Sequence, residues 1–216
     1  MTTSNPSKRK YDSTRRQVQA GETRRQILEA ALRVFMQRGY TGATIEAIAS
    51  EAGVALKTVY AVFKNKRKIL VELFNISSAP GGEENVPLLQ RAGPQAVSQE
   101  RDQHRQIQMF AQVVANNLEG AASVSEIMQT AAKTEPDIDK LMQYLSKQRW
   151  QHMTVAVTHI TSNGPLREKM DEVEATETVW TLTSLEVFLL LTRDRGWSKG
   201  KYAEWLADIL IRALLP

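Results

Sequence analysis

The residues of this chain best equipped for chemistry are cations. Residues 1–75 carry 14 Lys and Arg against 6 Asp and Glu, a net of +8, whereas residues 76–216 carry 14 against 18, a net of −4. A basic front suits a polyanion such as nucleic acid, and it equally suits a solvated face with no partner. Local motifs bear on the choice. Ala49 is followed by Gly53 four residues on and by Val59 six beyond that. A small residue lets two helix backbones cross closely, a glycine supplies the positive φ of a tight turn, and a β-branched side chain plugs a second helix into a shared core. That is the economy of a helix-turn-helix, whose second helix enters the DNA major groove.

Other chemistries find little support. The chain of 216 residues has no Cys and three His, which removes disulfides, thiolate metal sites and Cys nucleophiles and makes a reducing cytoplasm the default. His152 and His159 lie one above the other on a helix, about 10 Å apart along its axis, too far to chelate one metal. His104 has no obvious partner, so no metal site is expected. No phosphate-binding or dinucleotide glycine loop, zinc-binding His pair or nucleophile elbow occurs, and the chain does not read as an enzyme. The longest apolar run, Val187 to Leu191, falls far short of the ~20 residues of a membrane span. No membrane contact and no export are expected.

The elements that must position these residues are helical throughout. Residues 1–20 combine Ser, Thr, Pro and Gln with basic side chains and no apolar period, so they read as a disordered basic arm placed to reach a groove or the backbone. Leu28, Ala31, Leu32 and Phe35 line one face of a first helix that Gly39 stops. Thr44 is a good N-cap for a second, with Ile45, Ile48, Ala49 and Ala52 facing inward until Gly53. A third runs from Ala55 to about Lys64 with Val59, Val62 and Phe63 inward, and a fourth begins near Lys66. The Gly, Pro and Ser of residues 77–87 mark a loop between a front module, 21–75, and a rear one, 76–216. Helical stretches follow near 88–98, 100–118, 123–133, 136–162, 171–194 and 198–215, separated by Gly120, Pro136, Asn163-Gly164-Pro165 and Gly196.

The stretch Thr44-Ile-Glu-Ala-Ile-Ala-Ser-Glu-Ala-Gly-Val54 followed by Thr58-Val-Tyr-Ala-Val-Phe-Lys-Asn-Lys66 resembles the DNA-binding domain of the TetR family of bacterial transcriptional regulators. The resemblance covers residues 22–74; beyond them it extends to helical pattern and to Gly196-Trp-Ser with Tyr202 and Trp205-Leu-Ala-Asp. It implies an all-α fold: an N-terminal three-helix DNA-binding domain with a helix-turn-helix, joined to a C-terminal helical ligand-binding and dimerisation domain. It makes Ala55 to Phe63 the recognition helix, Tyr60 and Lys66 phosphate ligands and Thr44 a contact at the supporting helix. Lys57 and Thr58 suit base edges, a Lys donating to guanine and a Thr methyl packing on thymine, with Leu56 and Ala61 as apolar contacts and Lys64 as a further cation. Ala55 replaces the usual Ser cap, at about 1 kcal/mol, and Val62 stands where many members have His or Tyr.

In the rear module, Thr178 to Thr192 is apolar on nearly all sides, with Glu186 its only charge. Such a helix needs cover on several faces. Pairing of the stretches 171–194 and 198–215 with their two-fold mates would supply it, the homodimer the resemblance also implies. Leu189 and Ile209 fall in that interface. The resemblance further implies a small-molecule effector of unidentified chemistry and no cofactor. Met109, Phe110, Tyr144, Trp150, Met153 and His159 are the side chains that could wall its site, though each also suits an ordinary core. The expected function is a cytoplasmic homodimeric repressor released from double-stranded operator DNA by an effector. The alternative is a sensor or activator of the same fold that works through protein contacts or without effector release.

Overall fold

The computed structural model describes the backbone of residues 6–79 and 81–216, with side chains from Val18 onward. Ten α-helices span the described residues, which divide into two compact units between Leu73 and Phe74. The division falls inside a helix, shortly before the Gly, Pro and Ser loop that composition marks as the boundary.

The first unit holds α1 (Pro6–Gly42), α2 (Ile45–Ala52), α3 (Leu56–Phe63) and the start of α4 (Lys66–Ser77). Helical backbone from Pro6 replaces the disordered arm expected over residues 6–20. Lys, Arg, Gln and Ala are good helix formers in their own right, so an amphipathic period is not needed to extend a helix that a core already nucleates downstream. Residues 1–5 of the expected arm lie outside the described residues. The α1 backbone leaves helical geometry at Gly39 (φ 67°, ψ 172°), and the chain then turns. Ile27, Ala31, Val34 and Phe35 of α1, Ile48 and Ala49 of α2, Val59 and Phe63 of α3, and Ile69 and Leu70 of α4 are all buried.

The second unit is built on α6 (Gln103–Ala132), against which pack α5 (Ala92–Gln99), α7 (Pro136–Thr161), α9 (Leu185–Leu189) and α10 (Lys199–Leu214), with α8 (Glu172–Leu182) lying on α7. Two expectations are corrected here. Gly120 does not end a helix, since α6 runs through it; a Cβ there would meet the carbonyl oxygen of Ser77 at 2.4 Å. Close approach of another backbone, not a turn, is what the glycine serves. The stretch 171–194 is also not one helix. It breaks at Thr183, and Ser184 caps α9 by accepting from the Val187 N–H at 3.3 Å. A π-helical turn, Leu190–Asp194, follows, with Arg195 as its C-cap and Gly196 at φ 67° directly after.

A small polar network closes one end of this unit. Gln106, fully buried, donates to the Val97 carbonyl at 3.0 Å and accepts from Asn163, which also donates to the Glu100 carbonyl. Backbone N–H groups of Asp102 and Arg101 pointing at the Glu100 carboxylate hold its pKa below the usual value.

Candidate functional site

The turn between α2 and α3 follows from its residues. Gly53 adopts the left-handed conformation (φ 65°, ψ 28°), and its N–H together with that of Val54 satisfies the last carbonyls of α2, the Val54 N–H reaching Ala49 O at 3.0 Å. Ala49 is buried where the helices meet, and Val59 is buried at the centre of α3. The three residues thus occupy the places their spacing assigns them.

With Val59 and Phe63 turned inward, α3 presents its opposite side to solvent. Leu56, Lys57, Tyr60 and Ala61 are all exposed, and their spacing of i, i+1, i+4 and i+5 puts them on one face of α3, with Lys64, also exposed, directly after its last turn. Leu56 is 39% and Tyr60 46% exposed, so the phenol belongs to the surface and not to the core. Thr58 is half-buried at the edge of this face. No acidic residue occurs in α3. Ala55 leaves the helix start without a side-chain cap; its own carbonyl accepts the Thr58 N–H at 2.8 Å. Uncapped N–H groups and the positive end of the helix dipole suit an anion such as phosphate. Thr44, exposed, caps α2 by accepting from the Ala47 N–H at 3.1 Å, and its hydroxyl hydrogen remains able to donate outward.

Lys66 sits differently. Its ammonium donates to the carbonyls of Tyr40 at 2.7 Å and Ala43 at 3.0 Å and lies 4.1 Å from the centroid of the Tyr40 ring. The lysine at the start of α4 thereby ties down the turn that enters α2. Lys64 also carries a structural duty, since it takes φ 62° at the C-cap of α3, where its N–H reaches Tyr60 O at 3.0 Å. Asn65 then caps α4 by accepting from the Lys68 N–H.

Charged contacts brace the helices behind this face. Arg24 of α1 pairs with Glu72 of α4 and covers the Phe63 ring at 4.7 Å, while Arg33 pairs with Glu51 of α2 at 2.7 Å. Neither pair uses a residue of the exposed α3 face.

The second unit contains a cavity of about 220 Å³. Leu88 and Leu89 before α5, Val97 of α5, Phe110 and Val114 of α6, and Met153 and Ala156 of α7 give it apolar walls; Gln95, Ser98, Asn117, His152 and His159 supply its polar groups. Of the side chains expected to wall an effector site, Phe110, Met153 and His159 line the cavity, whereas Tyr144 and Trp150 line a separate open groove with Trp180. His152 and the short segment around Leu88 were the less visible members. The apolar pair directly after Pro87, inside a polar loop, is their one sequence signal. Burial, with the nearby Arg91 charge, pushes the His152 pKa below its usual value. Among the described residues, no group of three His, Asp or Glu could hold a metal, and no helix is long and apolar enough to cross a membrane.

Residues 27–73 match the family model for bacterial regulatory proteins of the tetR family. The fatty acid metabolism regulator protein of Bacillus subtilis is 47% identical over 49 residues, 23% of this chain and 25% of that protein. The match therefore spans about a quarter of the relative's length. Among solved structures, a transcriptional regulator from Saccharomonospora viridis bound to choline has a TM-score of 0.67 at 24% identity, covering 91% of this chain and 99% of that one. NalD from Pseudomonas aeruginosa, the secondary repressor of a multidrug efflux pump, also gives 0.67, at 22% identity over 91% and 98%. Likeness at these identities establishes the all-α, two-part fold.

Proposed function

We propose, from the premise that residues 27–73 make the chain a member of the TetR family, that the protein is a homodimeric transcriptional repressor that binds double-stranded operator DNA in the cytoplasm. As a regulator of this family it is not an enzyme. The observation that carries the reading is the exposed, acid-free face of α3, with Lys57 beside an uncapped helix start, Tyr60 a turn further on and Lys64 at the C-cap. Lys57 and Thr58 read base edges; Tyr60, Lys64 and the α3 N-terminus hold phosphates; Leu56 and Ala61 pack on the groove floor; Thr44 donates to the backbone at the start of α2. Lys66 supports this surface from behind, held by the carbonyls of the turn that enters α2.

Dimerisation is supported by the apolar surface of α8 to α10. Trp205 and Ile209 stand on one stripe of α10, Leu185 and Leu189 on α9, and all four are only half-buried in the single chain. Two-fold pairing covers them and sets two copies of α3 for the half-sites of an operator. Repression is supported by NalD, a repressor on the same fold, and effector release by the mostly apolar cavity between α5, α6 and α7. The 49-residue likeness to a fatty acid regulator lies in the first unit and says nothing about what the cavity accepts.

Footprinting on DNA flanking the protein's own coding region tests the proposal. Protection of a palindromic site by the wild type, lost on addition of salt, is expected; failure to protect any sequence better than random DNA would overturn it.

A further inference from the structure

We propose that the cavity between α5, α6 and α7 accepts an amphiphile with an apolar body and a single anionic head group, received at its His152 end. This rests on reading the cavity as the effector site and adds the chemistry of what enters it. The apolar part follows from the side chains, Val97, Phe110, Val114 and Met153 among them, that make most of the lining apolar.

The head group follows from what the wall lacks. No carboxylate lines the cavity: α6 contributes Asn117, α5 contributes Gln95 and Ser98, and α7 contributes the two histidines. Just outside, Arg91 is fixed by donating to the carbonyls of Val86 at 3.0 Å and Ser78 at 2.7 Å, and its charge acts on His152. Of the titratable and charged groups facing His152, Arg91 comes from the segment entering α5, His159 from α7 itself, and none from the part of α6 that lines the cavity. Glu83, whose carboxylate accepts the Ala92 N–H at 3.0 Å, lies outside the lining, so a cationic head would find no counter-charge on the cavity wall itself and would be repelled by Arg91. A neutral head could use Asn117 or Gln95 but would gain nothing from the field.

An anion gains from both positive groups, because His152 is half-buried and neutral near pH 7 until a negative charge arrives. Binding then draws a proton onto the imidazole, and the opposite charge between histidine and arginine offsets their repulsion. Affinity for the anion rises as pH falls, while affinity for a neutral homologue stays flat.

Calorimetric titration of the full-length protein with octanoate, octanol and octyltrimethylammonium isolates the head group on a common tail. Octanoate is expected to bind at least tenfold tighter than the ammonium compound at pH 6, to take up protons when buffers of different ionisation enthalpy are compared, and to weaken by roughly tenfold between pH 6 and 8. The His152→Gln variant should lose the pH dependence of octanoate binding. Octanol or the ammonium compound binding as tightly as octanoate, or a pH dependence that survives His152→Gln, would overturn the head-group assignment while leaving the effector site standing. Binding of none of the three would overturn the effector site itself, and this assignment with it.

Discussion

The ammonium of Lys66 lies 2.7 Å from the carbonyl oxygen of Tyr40 and 4.1 Å from the centroid of the same residue's ring. One residue thus receives the lysine twice, at its backbone and at its aromatic face, with the Ala43 carbonyl as a third partner. Charge-assisted hydrogen bonds to carbonyls contribute about 1.5–3 kcal/mol each when partly buried, and the cation–π contact about 1 kcal/mol more. A lysine so placed organises the domain before it meets any ligand.

The three contacts share one ammonium and are not additive, so Lys66→Ala is expected to destabilise the first unit by at least about 3 kcal/mol and to weaken binding to all DNA sequences alike. Urea unfolding followed by circular dichroism, beside binding measured at two salt concentrations, checks both parts. An unchanged unfolding midpoint with a reduced salt slope would make Lys66 a phosphate ligand and nothing more.

On α3 the two exposed lysines should separate. Lys57→Ala is expected to relax base preference at one position of each half-site with little change in stability. Lys64 stands at φ 62°, a conformation that costs a side-chain-bearing residue about 1 kcal/mol and glycine very little. Lys64→Gly should accordingly unfold at higher denaturant while its DNA affinity falls, with a salt slope flatter by about one unit for each phosphate that is no longer neutralised. Binding-site selection and denaturant titration of the two variants decide between this division and a shared role.

Much of the first unit was legible in the sequence because its signals are local. Gly53 after Ala49, the apolar period of α2 and the Thr44 cap each act within a few residues, so spacing alone locates them. Lys66 shows where that stops: a lysine at the start of a helix looks the same in sequence whether it faces phosphate or the Tyr40 carbonyl, because its partners lie more than twenty positions upstream. Gly120 and Thr183 were misread for the same reason. A glycine within an otherwise good helical period reads as a stop unless the approach of Ser77 is known, and the break at Thr183 coincides with a contact from far along the chain, Arg149 donating to the Trp180 carbonyl at 2.8 Å and to the Thr183 hydroxyl at 3.2 Å. The cavity was the least visible part, since apolar walls and apolar cores share one composition.

Gly120→Ala gives the helix prediction a sign. In an exposed helix the change stabilises by about 1 kcal/mol. Here the new Cβ would sit 2.4 Å from the Ser77 carbonyl oxygen, a clash only backbone movement relieves, so a net loss of about 1–3 kcal/mol is expected. A variant that melts above the wild type would show that Ser77 and α6 separate easily.

Assembly is tested on α9 and α10. Leu189 and Ile209 are half-buried in the single chain, so a charge at either position can remain solvated in a monomer but is buried opposite its own copy in a two-fold dimer. Leu189→Glu and Ile209→Glu should each shift light-scattering mass from two chains toward one, with helical content retained. A wild type of one chain's mass at micromolar concentration would sink the dimer.

The last expectation concerns acid stability of the ligand-free protein. Burial first, and the Arg91 charge second, hold the His152 pKa below the unfolded value of about 6.5. The unfolded chain therefore binds more protons than the folded one wherever the pH lies between the two values, and stability increases with pH across that window. Above about pH 6.5 both states carry a neutral imidazole and no penalty applies; as pH falls toward the folded pKa the folded state must either leave the proton in solution or place a cation beside Arg91. Gln cannot titrate, so His152→Gln should lose less stability than the wild type between pH 7 and pH 5, as read from urea midpoints at each pH. Parallel curves for the wild type and His152→Gln would mean that the imidazole is as well solvated in the folded chain as in the unfolded one.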